Sequence, residues 1–225
     1  KIIYNNLGNI YLQLDKLEKS IEYLNLSYRE SNNNKFIINN LIRALIKKRE
    51  ISEAEKFLKI AEEIDKDFTE YLYNKAEFLI LNKKFNEAII ILKNLISNKK
   101  NSKFYLLLSK IYFTLGDEAN GKQIIKDIYS LFPNDHKVLN FIGMRNLYEG
   151  NFDDGWKFYE FRRSALNNLY PNIATWKGES LEVKKILVYN EQGIGDCIQF
   201  SKYLFTSFDN KLSILCSSTI FPARY

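Results

Sequence analysis

Along most of the chain, apolar residues return every three or four positions in stretches of about a dozen residues. Leu7, Ile10, Tyr11 and Leu14 form one stripe, and Ile21, Leu24 and Leu26 form the next. That spacing marks one face of an α-helix. The links between stripes are short, among them Asp15-Lys16, Lys84-Phe85-Asn86 and Gly116-Asp117. Links of this length join antiparallel neighbours, so the pattern predicts a run of helix pairs.

The pairs repeat. Tyr4, Leu7, Gly8, Tyr11, Ser20, Leu24 and Ser27, shifted by 34 positions, fall on Ile38, Leu41, Ile42, Leu45, Ala54, Leu58 and Ala61. A second shift gives Leu72, Lys75, Ala76, Leu79, Ala88, Leu92 and Leu95, with Lys75 departing from the apolar pattern. A fourth unit starts one residue early at Ser102 and carries Tyr105, Leu108, Ser109, Tyr112, Gly121, Ile125, Ile128 and Pro133. A fifth has Leu139, Ile142, Gly143, Gly155 and Tyr159. Small residues fall where two helices must approach closely: Gly8 with Ser20, Ala76 with Ala88, Gly143 with Gly155. A Leu at Ala54 or Ala88 is expected to overpack that crossing by on the order of 1–3 kcal/mol.

These offsets resemble the tetratricopeptide repeat family. The resemblance implies a mainly α fold, a right-handed solenoid of about five helical hairpins over residues 1–163. One helix pair cannot bury its own apolar face, so neighbours must stack. The resemblance also implies a concave face built from the first helix of each pair. Ile2, Asn5, Asn6 and Asn9 lie there, then Phe36, Asn39, Asn40 and Arg43, then Glu70, Tyr73, Asn74 and Glu77, then Lys103, Leu106, Lys110 and Phe113. Asn6, Asn40 and Asn74 are spaced by 34. An amide both donates and accepts, so a ladder of them suits an extended peptide backbone. This ladder resembles that of the repeats of O-linked N-acetylglucosamine transferases. Asn5, Asn6, Asn39, Asn40, Arg43, Tyr73 and Asn74 are the candidate peptide-binding residues. Against this stands the abundance of Asn throughout the sequence.

Composition narrows the picture. Nine Gly and three Pro in 225 residues are too few for the turns of a β-sandwich or barrel. A hydrophobic content of 46% excludes global disorder. No apolar run reaches the length of a membrane span. The net charge of +6 is interspersed, which argues against nucleic acid as a partner. Two cysteines, Cys197 and Cys216, read as free thiols of a reducing, cytoplasmic setting. With a single His they leave no metal-ligand cluster. Residue 1 is Lys and the only Met is Met144, so the sequence reads as a piece of a longer protein.

The fifth unit closes unusually, with Trp156, Tyr159, Phe161 and the pair Arg162-Arg163 where a small-residue helix is expected. It reads as an intact but atypical end repeat. Residues 164–183 read as a linker pinned by Tyr170 and Trp176. Then the period changes. Lys185-Ile-Leu-Val-Tyr-Asn190 reads as a strand, Ile198 to Leu204 as a helix, and Leu212-Ser-Ile-Leu-Cys216 as a second strand. Between the first strand and the helix lies Glu191-Gln192-Gly193-Ile194-Gly195-Asp196, a turn that lets a ligand approach the backbone. It lacks the third Gly and the later acidic residue of a dinucleotide fingerprint, which disfavours a nicotinamide enzyme. The plain alternative is that the glycines turn the chain and Asp196 caps the helix.

Trp176-Lys-Gly178-Glu179, Ile186-Leu-Val188, Glu191 to Asp196, Gln199-Phe200 and Tyr203 resemble the junction in bacterial tetratricopeptide proteins that carry a C-terminal glycosyltransferase-like domain. The Gly-Ile-Gly-Asp turn is similar to the start of the heptosyltransferase-type family, of GT-B architecture. That resemblance implies that residues 184–225 begin a Rossmann-like domain and that Asp196 is the candidate base. Glu191, Gln192, Gly193, Ile194 and Gly195 would then shape an acceptor- or anion-binding loop. It further implies a longer parent using a nucleotide-sugar donor and a protein or glycan acceptor, with these 225 residues inactive alone and holding no cofactor. The competing expectation is a non-catalytic interaction module, since solenoids are mostly binding surfaces.

Overall fold

Five turns of one geometry organise the helical part of the chain. A computed structural model describes residues 2–165 and two strand segments, 186–189 and 214–217. The helices are α1 (Ile2–Gln13), α2 (Leu17–Glu30), α3 (Lys35–Lys48), α4 (Ile51–Asp65), α5 (Thr69–Leu81), α6 (Phe85–Asn98), α7 (Ser102–Thr114), α8 (Glu118–Leu131), α9 (His136–Tyr148) and α10 (Phe152–Tyr159). They pair in chain order, α1 with α2 through α9 with α10. In each pair the first helix ends on a residue in the left-handed conformation: Asp15, Arg49, Lys83, Gly116 and Gly150, with φ of 59°, 65°, 59°, 76° and 83°. The next residue's N–H then reaches back five positions. Lys16, Glu50, Lys84, Asp117 and Asn151 donate to the carbonyls of Tyr11, Leu45, Leu79, Tyr112 and Asn146 at 2.8–3.0 Å. This is the bonding of a Schellman stop. Three of the five residues are not glycine, and each holds that conformation at a cost of roughly 1–2 kcal/mol. The turn also corrects the third link. α5 ends at Leu81 and Lys83 is the left-handed residue of the turn after it, so Phe85 and Asn86 begin α6 instead of joining the link.

Three of the four turns between pairs carry side-chain caps; the turn into α5, with Phe68 at the N-cap, does not. Asn34 Oδ1 accepts from the N–H groups of Phe36 and Ile37, and Asp135 Oδ1 accepts from those of Lys137 and Val138. Asn101 caps α7 in the same way. Such caps satisfy helix donors that have no partner within the helix.

Within each pair, small residues set the spacing. Ser20 Oγ donates to the Gly8 carbonyl at 2.8 Å, and Ser109 Oγ donates to the Gly121 carbonyl at 3.2 Å. The first and fourth pairs thus use the same contact with Gly and Ser exchanged between helices. Ala54, Ala76 and Ala88 are wholly buried at the equivalent crossings. In the fifth pair the neighbouring backbone itself lies over the glycine. A Cβ on Gly143 would meet the backbone N of Tyr159 and lie 2.8 Å from the Phe158 carbonyl carbon.

Between pairs, one register recurs. Ala44 packs with Leu12 and Leu24, Tyr71 with Leu58 and Ala61, Phe104 and Ile111 with Leu92 and Leu95, and Val138 with Ile128. Each first helix therefore buries a stripe on the pair before it, giving a continuous core. Lys75, the departure from the apolar pattern, is accommodated at the rim of this interface. Its Nζ reaches Glu62 Oε1 of α4 at 2.9 Å and lies 5.5 Å from the Tyr71 ring centroid.

The fifth pair departs from the expectation of an intact second helix running to Arg163. α10 stops at Tyr159 and passes into a 3-10 turn, Glu160–Ala165. Arg162 Nη1 takes the Tyr159 carbonyl at 3.1 Å, an acceptor that another α-turn would use.

The chain divides into two compact units, Lys1–Asn167 and Asn168–Tyr225. In the second, β1 (Ile186–Tyr189) pairs in parallel with β2 (Ile214–Ser217), Ile186 opposite Ile214 and Tyr189 opposite Ser217. A parallel pair needs a crossover of a dozen or more residues, and residues 190–213 lie between these strands. The expected helix from Ile198 to Leu204 and the linker beyond Ala165 lie outside the described residues.

Gly143→Ala is expected to lower unfolding free energy in urea by about 2 kcal/mol, since the new methyl meets backbone that cannot rotate away. A loss below about 0.5 kcal/mol would show that the fifth pair has slack the geometry does not provide.

Candidate functional site

The first helices α1, α3, α5, α7 and α9 set side chains from successive pairs in one row, part buried and part exposed. At the α1–α3 end that row is made of amides. Asn40 Nδ2 donates to Asn5 Oδ1 at 2.9 Å. One step along, Asn74 Nδ2 donates to the main-chain carbonyl and to Oδ1 of Asn39, both at 3.1 Å, while Asn39 Nδ2 donates to the Lys35 carbonyl at 2.7 Å. Asn39 and Asn74 are buried, Asn5 and Asn40 half-buried, and Asn6 exposed. The asparagines thus join neighbouring first helices, each bond linking residues 35 apart in sequence. Buried amides demand such partners. The outward capacity of the row lies with Asn6 and the remaining groups of Asn40.

The middle of the face is charged. Tyr73 and Glu77 lie half-buried one turn apart on α5. The charges of exposed cations on both neighbouring first helices act on Glu77: Arg43 from α3, Lys103 and Lys110 from α7. Burial pushes Glu77 above the usual carboxylate range, with the Tyr73 hydroxyl and the three cations opposing it. Burial, followed by the Glu77 charge, pushes the Tyr73 phenol well above its ordinary value. The Tyr73 ring packs against Phe104 at 5.7 Å between centroids.

The α7–α9 end is aromatic. Lys110 Nζ lies 5.8 Å from the Phe141 ring centroid, and Phe113 lies 6.5 Å from Phe141. The Arg145 guanidinium sits 3.7 Å from the Phe113 centroid and bridges Glu118 and Glu149. Met144 and Tyr148 continue the face and are exposed.

Of the seven candidate peptide-binding residues, the structure brings Asn5 to Asn40 and Asn39 to Asn74. Glu77, Lys103 and Lys110 lie with them, although sequence reasoning gave them only a place on the face. The signal was present as charge: Arg43, Glu77 and Lys110 recur at 34 and 33 residues with alternating sign. Asp196 and the loop Glu191, Gln192, Gly193, Ile194 and Gly195 lie outside the described residues.

Residues 2–34 and 102–135 match the model of the tetratricopeptide repeat family. The fold recurs in solved structures. A tetratricopeptide repeat protein from Parabacteroides merdae ATCC 43184 is 17% identical, with a TM-score of 0.67 over 74% of this chain and 66% of that one. A thermophilic TPR protein of Thermus thermophilus is 14% identical, with a TM-score of 0.64 over 74% and 91%. The protein pilF of Pseudomonas aeruginosa is 18% identical, with a TM-score of 0.59 over 74% and 76%. The helical unit is a tetratricopeptide-type solenoid. At these identities the likeness is one of fold. No curated protein matches the sequence. In the solenoid, no described helix is long and apolar enough to cross a membrane.

Glu77 gives the solenoid a signed pH dependence. Its folded pKa is raised, so between the unfolded value near 4.5 and the raised one the folded state holds the extra proton. Stability is therefore lost as pH rises through that window, and the loss persists above it. Glu77→Gln mimics the neutral acid. It is expected to raise Tm at pH 7, with the gain vanishing at about pH 4. Thermal melts at both pH values check this, and an equal gain at both would contradict it.

Proposed function

We propose that the solenoid is a protein-interaction scaffold, and that its ligand is an extended peptide segment lying along a concave face formed by α3, α5 and α7. One observation carries the reading. The charges of Arg43 on α3 and of Lys103 and Lys110 on α7, all exposed, act on one half-buried carboxylate, Glu77 of α5, and leave that part of the face with an excess of positive charge. A ligand carrying acidic side chains meets that excess. Amides of Asn6 and Asn40 on one side offer groups for a peptide backbone. Phe36 on the α3 segment is an exposed apolar anchor, as is Tyr148 on α9. Tetratricopeptide-type arrays suit such a role because stacking leaves one long surface of side chains drawn from several repeats.

A second reading retains a catalytic parent. The parallel pairing of Ile186–Tyr189 with Ile214–Ser217 favours it, since that pairing suits the opening of an α/β domain. On this reading a longer protein binds a nucleotide-sugar donor, Asp196 acts as base toward a glycan or protein acceptor, and the solenoid recruits that acceptor. The interaction role of the solenoid stands under both readings.

Peptides selected from a random display library on the purified chain are expected to be enriched in Asp and Glu. For such a peptide, Lys103→Glu with Lys110→Glu should weaken binding at least about tenfold, a change of roughly 1.4 kcal/mol. The wild-type affinity should also fall with added salt. Selected peptides without acidic enrichment, or affinity untouched by the double charge reversal, would remove this face from the interaction.

A further inference from the structure

One repeat position changes character along the row. Where α3 and α5 carry Arg43 and Glu77, α7 carries Lys110 and α9 carries Met144. Arg43 and Lys110 are exposed although pairs flank them on both sides, so the 52% exposure of Met144 belongs to the position and not to its place in the fifth pair. Phe141, one turn before Met144 on α9, is half-buried. Phe113 of α7 stands 6.5 Å from it, centroid to centroid. The Phe113 ring is itself held: it lies over Gly121 on α8, and the Arg145 guanidinium sits 3.7 Å from its centroid. That guanidinium is paired with Glu118 and Glu149. Lys110 differs. Among the described residues no carboxylate lies within ion-pair distance of it, and its ammonium sits 5.8 Å from the Phe141 ring centroid. An unpaired cation thus borders an apolar seat of Phe113, Phe141 and Met144.

We propose that this seat takes a large apolar side chain, aromatic or Leu or Met, set two positions from an acidic residue in an extended peptide. The proposal rests on the reading of the solenoid as a scaffold for an acidic segment, and it adds a second element and a spacing to that ligand. The spacing follows from the distance between Lys110 and Phe141. A carboxylate bonded to Lys110 lies about 2.8 Å from Nζ. An apolar ring on Phe141 packs with centroids roughly 4.5–7 Å apart. Set side by side over their partners, the two ligand groups are separated by about 6–7 Å, much as the ammonium is from the ring. In a strand, residues i and i+2 share a side and lie roughly 6.7 Å apart, whereas residue i+1 points the other way. Charge selects the neighbour of the apolar residue. Lys103 and Lys110 are both exposed, so an acidic side chain is favoured beside the seat and a basic one is repelled.

Fluorescence anisotropy with the 225-residue chain tests this. The probe is a labelled peptide of about ten residues, Gly and Ser around Asp-Ser-Asp-Ser-Phe, long enough to lie as a strand across three first helices. The reversed order, Phe-Ser-Asp-Ser-Asp, covers the other chain direction. Two controls keep both acids: one moves Phe next to Asp, and one replaces Phe by Ala. The better of the two directions should bind at least about fivefold tighter than either control. Met144→Ser should bring that ratio to about one while the Ala peptide binds as before. Ile90→Ser, at an exposed Ile of α6, should leave the ratio unchanged. If all the acidic peptides bind alike and Lys110→Glu still weakens them, the acidic reading stands and the seat is overturned. A spacing preference that survives Met144→Ser, or that Ile90→Ser abolishes, also overturns the seat. If no peptide binds, or Lys103→Glu with Lys110→Glu leaves binding untouched, the underlying reading falls and the seat falls with it.

Discussion

The closeness of two helices at one small-residue crossing is the constraint on which the solenoid depends. Gly8 over Ser20, Ser109 over Gly121 and Ala76 near Ala88 do not bury much surface themselves. Their smallness lets the flanking large residues, Leu24, Leu92 and Ile128, close over the crossing with almost no exposure. The left-handed stop at the end of each first helix then fixes the angle at which the second helix returns. Because that stop recurs in all five pairs, every hairpin leaves the turn in the same way. A common hairpin shape lets one apolar register serve every junction between pairs.

Stacking in a single register has a consequence on the opposite side of the first helices. Side chains spaced by a whole repeat are brought close enough to bond. Asn5 meets Asn40 and Asn39 meets Asn74 for this reason, and the charges on α3 and α7 act on Glu77 for the same one. The exposed face is thus a product of the core. The charge that distinguishes it belongs to no single repeat. It follows that substitutions in the buried junctions are able to alter the binding face without touching it.

The repeat was legible from Tyr4 to Tyr159 because the small and large positions keep their offsets over long distances, and the burial of Ala54, Ala88 and Leu92 follows from them. The turn conformation was not legible. Asp15, Arg49 and Lys83 adopt φ above 50° without being Gly or Asn, so no local residue type announced the stop. The shortening of α10 was hidden likewise, since Trp156 to Arg162 keep helical spacing while Arg162 takes a carbonyl by its side chain. The asparagines were expected on one open face, yet Asn39 and Asn74 are buried between first helices. Their pairing with each other depends on the distance between first helices, which only the stacked structure supplies. The chemistry expected of Asp196 rests on sequence resemblance, its loop lying outside the described residues.

That neighbouring first helices are locked side by side, so that groups from three pairs share one face, is the central claim. A double-mutant cycle on Asn39 and Asn74 tests it most directly. Asn39→Ala, Asn74→Ala and the double variant, each unfolded in urea, should show a coupling of about 1 kcal/mol, as contacting buried polar groups do. The same cycle on Asn6 and Asn74, which share no bond, should stay within about 0.3 kcal/mol of additivity. Additive losses at Asn39 and Asn74 would mean that the two helices are not in register, and the shared face would not exist as described.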